Sequence, residues 1–354
     1  MNVRDAFQEY GALISYDLIF AWSQFFACLL LVGYAGVKLT AYGDAISDKT
    51  GLGGNWIGFL LIATVTSVPE LASGISAVTL ADAPNIAVGG IFGSCIFNLV
   101  IIVLLDLLYR KESLFTSASQ GHILSAAFSI VLIGVTGMAI TLALNGYRLA
   151  FGPVSLFSPI ILILYLIAVY TVFNYESHQI KLYTDREPDA YPHLSLTAVI
   201  LRYLAAALVV IATGIWLPFA VKQIAGLMHW KPSFVGTLLV AFITTMPEMV
   251  VAIAAVRLRV LDMAIGNIFG SILFDIAILA IEDLAYTKGP IFSAISGVHS
   301  VSVTTSLIMT GLAIIGLFFR PKKRILKMIG WISWFLLILF LLNSYFMFIN
   351  GQRE

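Results

Sequence analysis

Charge is what this chain lacks. Only 11% of its 354 residues are Asp, Glu, Lys or Arg, against 60% that are hydrophobic, a balance no ordinary soluble domain of this length keeps. A formal net charge of +1 offers no argument for a nucleic-acid partner, and no basic patch interleaved with aromatics is present. Cysteine is as scarce. Cys28 and Cys95 are the only two; both lie in apolar runs, where they read as small packing residues and exclude a disulfide framework. The five histidines are scattered. With no nucleophile–base pair, metal-hydrolase or phosphate-loop pattern, an integral-membrane enzyme finds no support and no cofactor is called for.

What the chain has is apolar length. Stretches of about 20 residues, enough to span a bilayer as helix, recur near 17–42, 55–81, 84–109, 122–145, 153–174, 197–227, 232–257, 261–286, 298–319 and 327–349. Arg4, Asp5 and Glu9 precede the first run and no A-x-A pattern follows it, so a first spanning helix is expected there rather than a signal peptide. The longest polar stretch, 175–196, divides the chain into a first half, 1–174, and a second, 197–354, of five spans each.

The halves repeat. "NIAVGGIFGSCIFNLVIIVLLDLLY" from Asn85 aligns without gaps on "DMAIGNIFGSILFDIAILAIEDLAY" from Asp262, 177 residues on; "TSVPE" from Thr66 aligns on "TTMPE" from Thr244, 178 residues on. An odd number of spans per unit sends the second half through the membrane in the opposite sense, the inverted-repeat plan of secondary transporters. The expected fold is therefore an all-α membrane protein of ten transmembrane helices, two inverted five-helix repeats with broken helices at the midplane. The loops carrying Lys49, Arg110, Lys111, Lys181, Arg186, Arg257, Arg259 and the Arg320–Lys327 cluster are richer in Lys and Arg than the opposite loops. By the positive-inside rule they face the cytoplasm of a cell-membrane protein, which puts both termini outside and the 175–196 loop inside.

Chemistry enters at the proline–glutamate pairs. Pro69 and Pro247 each lack an N–H and crowd the carbonyl four residues back, at Val65 and Ile243. The freed carbonyls must be buried in protein or line a hydrated cavity. Ala63, Thr66 and Glu70 share a helix face, as do Ala241, Thr244 and Glu248. In the helices that follow, Ser94 shares a face with Asn98 and Ser271 with Asp275, and Gly89, Gly90, Gly93, Gly266 and Gly270 permit close approach. Inversion brings the four segments together around Glu70, Asn98, Glu248 and Asp275. One such kinked helix could be packing alone. Two at matching positions, each followed by a GS-x-x-x-N/D helix, carry carboxylates that packing does not need, and hard oxygens of this kind suit calcium, magnesium or sodium.

The TS-x-PE helix followed by GS-x-x-x-N, given twice, resembles the alpha repeats of the calcium/cation antiporter superfamily, most of all its prokaryotic sodium/calcium exchangers. The resemblance implies an ion site of Glu70, Asn98, Glu248 and Asp275, coordination by Thr66 and Ala63 and by Thr244 and Ala241, and hydroxyl ligands at Ser67, Thr245, Ser94 and Ser271. The chain departs from the family pattern at Val65 and Ile243, which replace glycine, at Thr245 for serine, and at Gly90, where the family has Asn. The GN-x-x-E pattern of the proton-coupled branch is absent, which favours sodium.

The expected function is a secondary antiporter exchanging a divalent cation, calcium, against sodium by alternating access at one shared carboxylate site, its partners being the transported cations and the bilayer. The rivals are a proton-coupled calcium or magnesium exchanger and, in another class, a passive cation channel. Asp106 and Asp283, which match across the repeats, read as solvated helix ends, and His122 and His299 as headgroup contacts.

Overall fold

Prolines mark where helices begin. Pro69, Pro84, Pro232 and Pro247 each stand in the first turn of a helix, where a missing N–H costs no intrahelical bond. The structure, a computed structural model, describes residues 3–50, 65–109, 113–180, 195–257, 261–321, 324–325 and 329–350. Its helices are α1 (Val3–Thr50), α2 (Val68–Thr79), α3 (Pro84–Leu108), α4 (His122–Leu144), α5 (Phe157–Ile180), α6 (Leu196–Met228), α7 (Pro232–Thr244), α8 (Met246–Arg257), α9 (Leu261–Ala285), α10 (His299–Phe319) and α11 (Trp331–Asn350). Among the described residues eight helices are long and apolar enough to cross a membrane, and α7 with α8, bent by 45°, makes a ninth. The remaining expected span, 55–81, is described only from Val65 onward. Residues 55–64, Ala63 among them, lie outside the described residues, as do most of the 175–196 loop and several of the basic loop residues.

Helices α3 and α9 form the centre: 72% and 83% of their apolar windows are buried, against 28% in α1, α5 and α11. Large apolar side chains such as Leu30, Tyr34, Leu166 and Phe318 point outward, as a lipid-facing surface requires. Gly93 sets how closely α3 can lie on α7, since a Cβ there would stand 2.3 Å from the Thr237 carbonyl oxygen. The residues opposite form a wide π-helical turn, Gly236–Val240. Cys28 and Cys95 are buried and unbridged, as small packing residues.

The helices break as expected, but upstream of the prolines. Helical geometry is interrupted at Ser67 and at Thr245, two residues before Pro69 and Pro247. Each proline is thereby taken into the first turn of the new helix instead of kinking the old one.

Two sets of contacts tie one half of the chain to the other, and each occurs twice. Asp283, at the end of α9, accepts from the Ser155 N–H (2.8 Å), the Ser158 hydroxyl (2.5 Å) and the Ile291 N–H (2.7 Å). Asp106, near the end of α3, accepts from the Gly330 N–H (2.7 Å), the Ser333 hydroxyl (2.7 Å) and the Leu114 N–H (3.0 Å). Each aspartate thus caps a two-residue hairpin, β1–β2 (Ala150–Phe151, Val154–Ser155) or β3–β4 (Arg324–Ile325, Ile329–Gly330), and the start of the helix after it in the opposite half. Both are fully buried, so the expectation of solvated helix ends is overturned: backbone N–H groups stranded by the hairpins need an acceptor where water is absent.

The histidines are corrected in the same way. His122 Nε2 meets Asp262 Oδ1 at 3.1 Å, and the Ser119 N–H donates to that oxygen at 2.7 Å. His299 Nε2 meets Asn85 Oδ1 at 3.2 Å, with the Ser296 N–H at 2.7 Å. Both rings are buried and lock the start of α4 or α10 to the start of α9 or α3, so neither faces headgroups. At one end of the bundle the exposed pair Lys288–Asp82 (2.6 Å) links the connections that follow α9 and α2; Lys288 holds the Asp82 carboxyl below its usual range. A depressed carboxylate stabilises above its unfolded value and loses that contribution as pH falls through the folded value, and full exposure makes the contribution small.

A candidate cation site

Where both breaks meet α3 and α9, the polar side chains form a reciprocal set. Glu70 and Glu248 follow the breaks at the start of α2 and α8, both nearly inaccessible to solvent. Glu70 Oε1 lies 3.5 Å from the Ser94 hydroxyl and also accepts from Thr244 of the opposite half. Glu248 Oε1 lies 3.4 Å from the Ser271 hydroxyl and 3.3 Å from that of Ser67, and accepts from Thr66. Each glutamate therefore receives one serine from its own half and a threonine from the other. Between them, Ser94 lies 3.3 Å from the Thr244 hydroxyl and 3.1 Å from that of Thr245.

The breaks also gather donors onto one backbone oxygen. The Ala241 carbonyl accepts from the Thr245 N–H (3.0 Å), the Thr245 hydroxyl (2.7 Å) and, more loosely, the Thr244 hydroxyl (3.4 Å). Asp275 and Asn98, from the middles of α9 and α3, approach one another through a side-chain hydrogen bond, and Cys95 Sγ lies 3.8 Å from Asp275 Oδ2.

Sequence reasoning named twelve residues. The structure brings eleven into this one neighbourhood, and the twelfth, Ala63, is outside the described residues. Among the described residues no three Asp, Glu, His or Cys side chains stand close enough to hold a metal by themselves, and the Ser94, Thr244 and Ser271 hydroxyls stand among the carboxylates. A ligand set here must mix carboxylate, amide and hydroxyl oxygens, a mixture hard cations accept.

The electrostatics point the same way. Glu70 Oε2, Glu248 Oε2, Asp275 Oδ1 and Asn98 Oδ1 are all buried, and none has a hydrogen-bond partner among the described residues. All four are acceptor atoms. Buried acceptors are normally satisfied, and an orphaned carboxylate oxygen in low dielectric is expensive. A positive charge placed among them would remove that penalty.

One buried acid was missed. Glu282, on α9 beyond Asp275, is fully buried and both its oxygens are also without partners among the described residues. The signal was available: Glu282 aligns on Leu105, an acid where the first half has a hydrocarbon.

Comparison with known proteins agrees with the fold. The sodium/calcium exchanger protein family matches residues 20–175 and 197–348. An uncharacterized membrane protein of Methanocaldococcus jannaschii is 26% identical over 259 residues, covering 73% of this chain and 80% of its own length. The inner membrane protein YrbG of Escherichia coli is 26% identical over 293 residues, covering 79% and 84%. Among solved structures, the H+/Ca2+ exchanger CAX superposes with a TM-score of 0.68 at 14% identity, over 99% of this chain and 92% of that one. The sodium-calcium exchanger NCX_Mj, soaked with 2.5 mM Na+ and 0.1 mM Sr2+, gives 0.58 at 20% identity, over 93% and 99%.

Proposed function

This chain belongs to the sodium/calcium exchanger protein family, and from that premise we propose that it exchanges calcium against sodium at the carboxylate site between α2, α3, α8 and α9. Its membrane helices and family place it among cation antiporters and not among enzymes. The observation that carries the finer reading is the matched set of four buried acceptor oxygens, on Glu70, Asn98, Glu248 and Asp275, without donors among the described residues. Two ionised glutamates balance one calcium ion or more than one sodium ion. An emptied, charged site is costly to carry across hydrocarbon, which ties the two fluxes together and opposes a leak. Sodium is preferred to a proton as the coupling ion because the GN-x-x-E pattern is absent. A continuous channel is disfavoured by broken helices that meet in a closed centre.

The site sits in a ten-helix plan of two inverted halves, 1–174 and 197–354, joined by a cytoplasmic linker at 175–196. The reciprocal capping by Asp106 and Asp283, and the reciprocal pairing of His122 and His299, support that inversion, since each contact recurs with the halves exchanged. The termini then lie outside. A single cysteine placed within 180–190 should stay unlabelled by an impermeant reagent added outside intact cells and react once the cells are opened; labelling from outside would reverse the orientation.

Competition tests the shared site. Calcium binding to the purified protein, measured by calorimetry, should weaken steadily as sodium replaces an inert organic cation. Calcium affinity indifferent to sodium would separate the two sites or remove sodium from the reaction.

Asp275 should be the milder of the acids. Glu70 and Glu248 stand in the hydroxyl ring, whereas Asp275 is approached by Asn98 and Cys95. Asp275→Asn should keep measurable sodium-driven calcium flux, reduced within about tenfold, since two carboxylates still balance the ion. Complete loss of flux in a folded variant would make Asp275 an obligatory anionic ligand.

A further inference from the structure

Glu282 stands outside the reciprocal scheme. It lies on α9, seven residues past Asp275, with both oxygens buried and unpartnered among the described residues. It lines a small cavity together with Glu70, Ser73, Gly74 and Thr244. A water's centre can move within ≈ 10 Å³ of that cavity, which is room for about one water. Glu70, whose Oε2 is also without a partner, is the second acid facing it.

The neighbouring glycine lies directly against the carboxylate. A Cβ at Gly74 would stand 1.7 Å from Glu282 Oε1, so a larger residue there would displace the tip of the acid. In the repeat alignment Glu282 falls on Leu105, and Gly74 falls on Ala252. Inversion therefore turns the pair Glu282 of the second half and Gly74 of the first into Leu105 of the first half and Ala252 of the second. Where one pair sets an acid against no side chain, its counterpart sets a hydrocarbon with a methyl. Both differences are explained together if the pocket is kept open around a charge on one side of the molecule.

We propose that the cavity between Glu70 and Glu282 is a second site, taking one monovalent positive charge beside the divalent site. This rests on the reading of the chain as a cation exchanger and adds a named subsite to it. The oxygens without partners among the described residues at this cavity, Glu70 Oε2 and both of Glu282, are fewer than the about six to eight oxygen ligands that calcium collects. A sodium ion completed by water, or a proton shared with one water, needs fewer, and the common chemistry is a single positive charge opposite Glu282. The titratable groups nearest Glu282 are Glu70 across the cavity on α2 and Asp275 on its own helix; Ala87, Gly90 and Ile91 of α3 and Val240 and Thr244 of α7 complete the lining and carry no charge. Asp283, the next residue, turns away toward Ser155, Ser158 and Ile291.

The test is thermal unfolding of the purified full-length protein, which needs no transport. Wild type, Glu282→Gln, Glu282→Leu and the double variant Gly74→Ala/Glu282→Leu are titrated with sodium chloride against an inert organic cation at fixed pH, with acid in the absence of sodium, and with calcium chloride. The double variant installs the residue types of the inversion-related pair, Leu105 and Ala252, so it keeps the comparison open if a single variant folds poorly. Wild type should be stabilised by sodium or by acid, because ligands that bind the folded state raise its melting temperature, and the arm that responds identifies the ion. The variants should shift that midpoint by about tenfold or more, or lose it, while calcium still stabilises them. Curves that superimpose on wild type in both the sodium and the acid arm overturn the proposal, and so does a wild type that responds to neither. A wild type stabilised by a monovalent ion but not by calcium contradicts the exchange reading instead and leaves the second site standing.

Discussion

Glu70→Gln and Glu248→Gln should each abolish sodium-driven calcium flux while the protein still folds. Glutamine keeps the shape and the single acceptor that Ser94 or Ser271 approaches, but it removes a charge that a divalent ion requires. It also sets an amide N–H₂, a donor, where the structure leaves only an acceptor oxygen on each glutamate. Calcium sites are tuned over several orders of magnitude by ligand charge, so a loss of about 100-fold or more in affinity is expected. The fold should survive because the hydroxyl contacts are long, 3.3–3.5 Å, and their loss is cheap. Calcium uptake by reconstituted vesicles, with elution volume and helical content as controls, decides it. Undiminished flux in either variant would remove that glutamate from the site.

The largest effect on stability should come from Asp283→Ala, with Asp106→Ala its counterpart. Asp283 satisfies two backbone N–H groups and a hydroxyl, all buried, and alanine leaves three donors with no acceptor. At about 1–3 kcal/mol per stranded group, a loss of about 3–9 kcal/mol is expected, which exceeds what any single hydroxyl contact at the ion site supplies. Melting of the variants in detergent should therefore fall well below wild type, whereas Glu248→Gln should melt near it. A melting temperature unchanged by Asp283→Ala would mean that water reaches the β1–β2 hairpin.

How much was legible in the sequence depended on whether a residue was out of place in its own window. Pro69 beside Glu70 and Pro247 beside Glu248 are anomalies within apolar runs, and their spacing of 178 residues in the repeat said they were a pair; the site followed from those two facts. The cross-half bonds did not. That Thr66 serves Glu248, and Thr244 serves Glu70, follows from how the halves interlock, which no local window contains. Asp106 and His122 were misread because a polar residue at a helix end looks hydrated. Water was replaced there by N–H groups and an aspartate from more than a hundred residues away. Glu282 was overlooked because it has no acidic counterpart in the first half, although the aligned Leu105 marked it as different. The break positions moved for a local reason: proline is easier to start a helix with than to bend one around.

Flux across a sealed membrane bears most directly on the central claim. Vesicles containing the purified protein are loaded with sodium, diluted into sodium-free medium holding radioactive calcium at one pH on both sides, and made permeable to protons so that no pH gradient forms. Calcium should accumulate while the sodium gradient lasts, stop when sodium is equal on both sides, and be absent with Glu248→Gln. Accumulation that requires a pH gradient and ignores sodium, or calcium entry that proceeds equally without any gradient of a second ion, would contradict sodium–calcium exchange at this site.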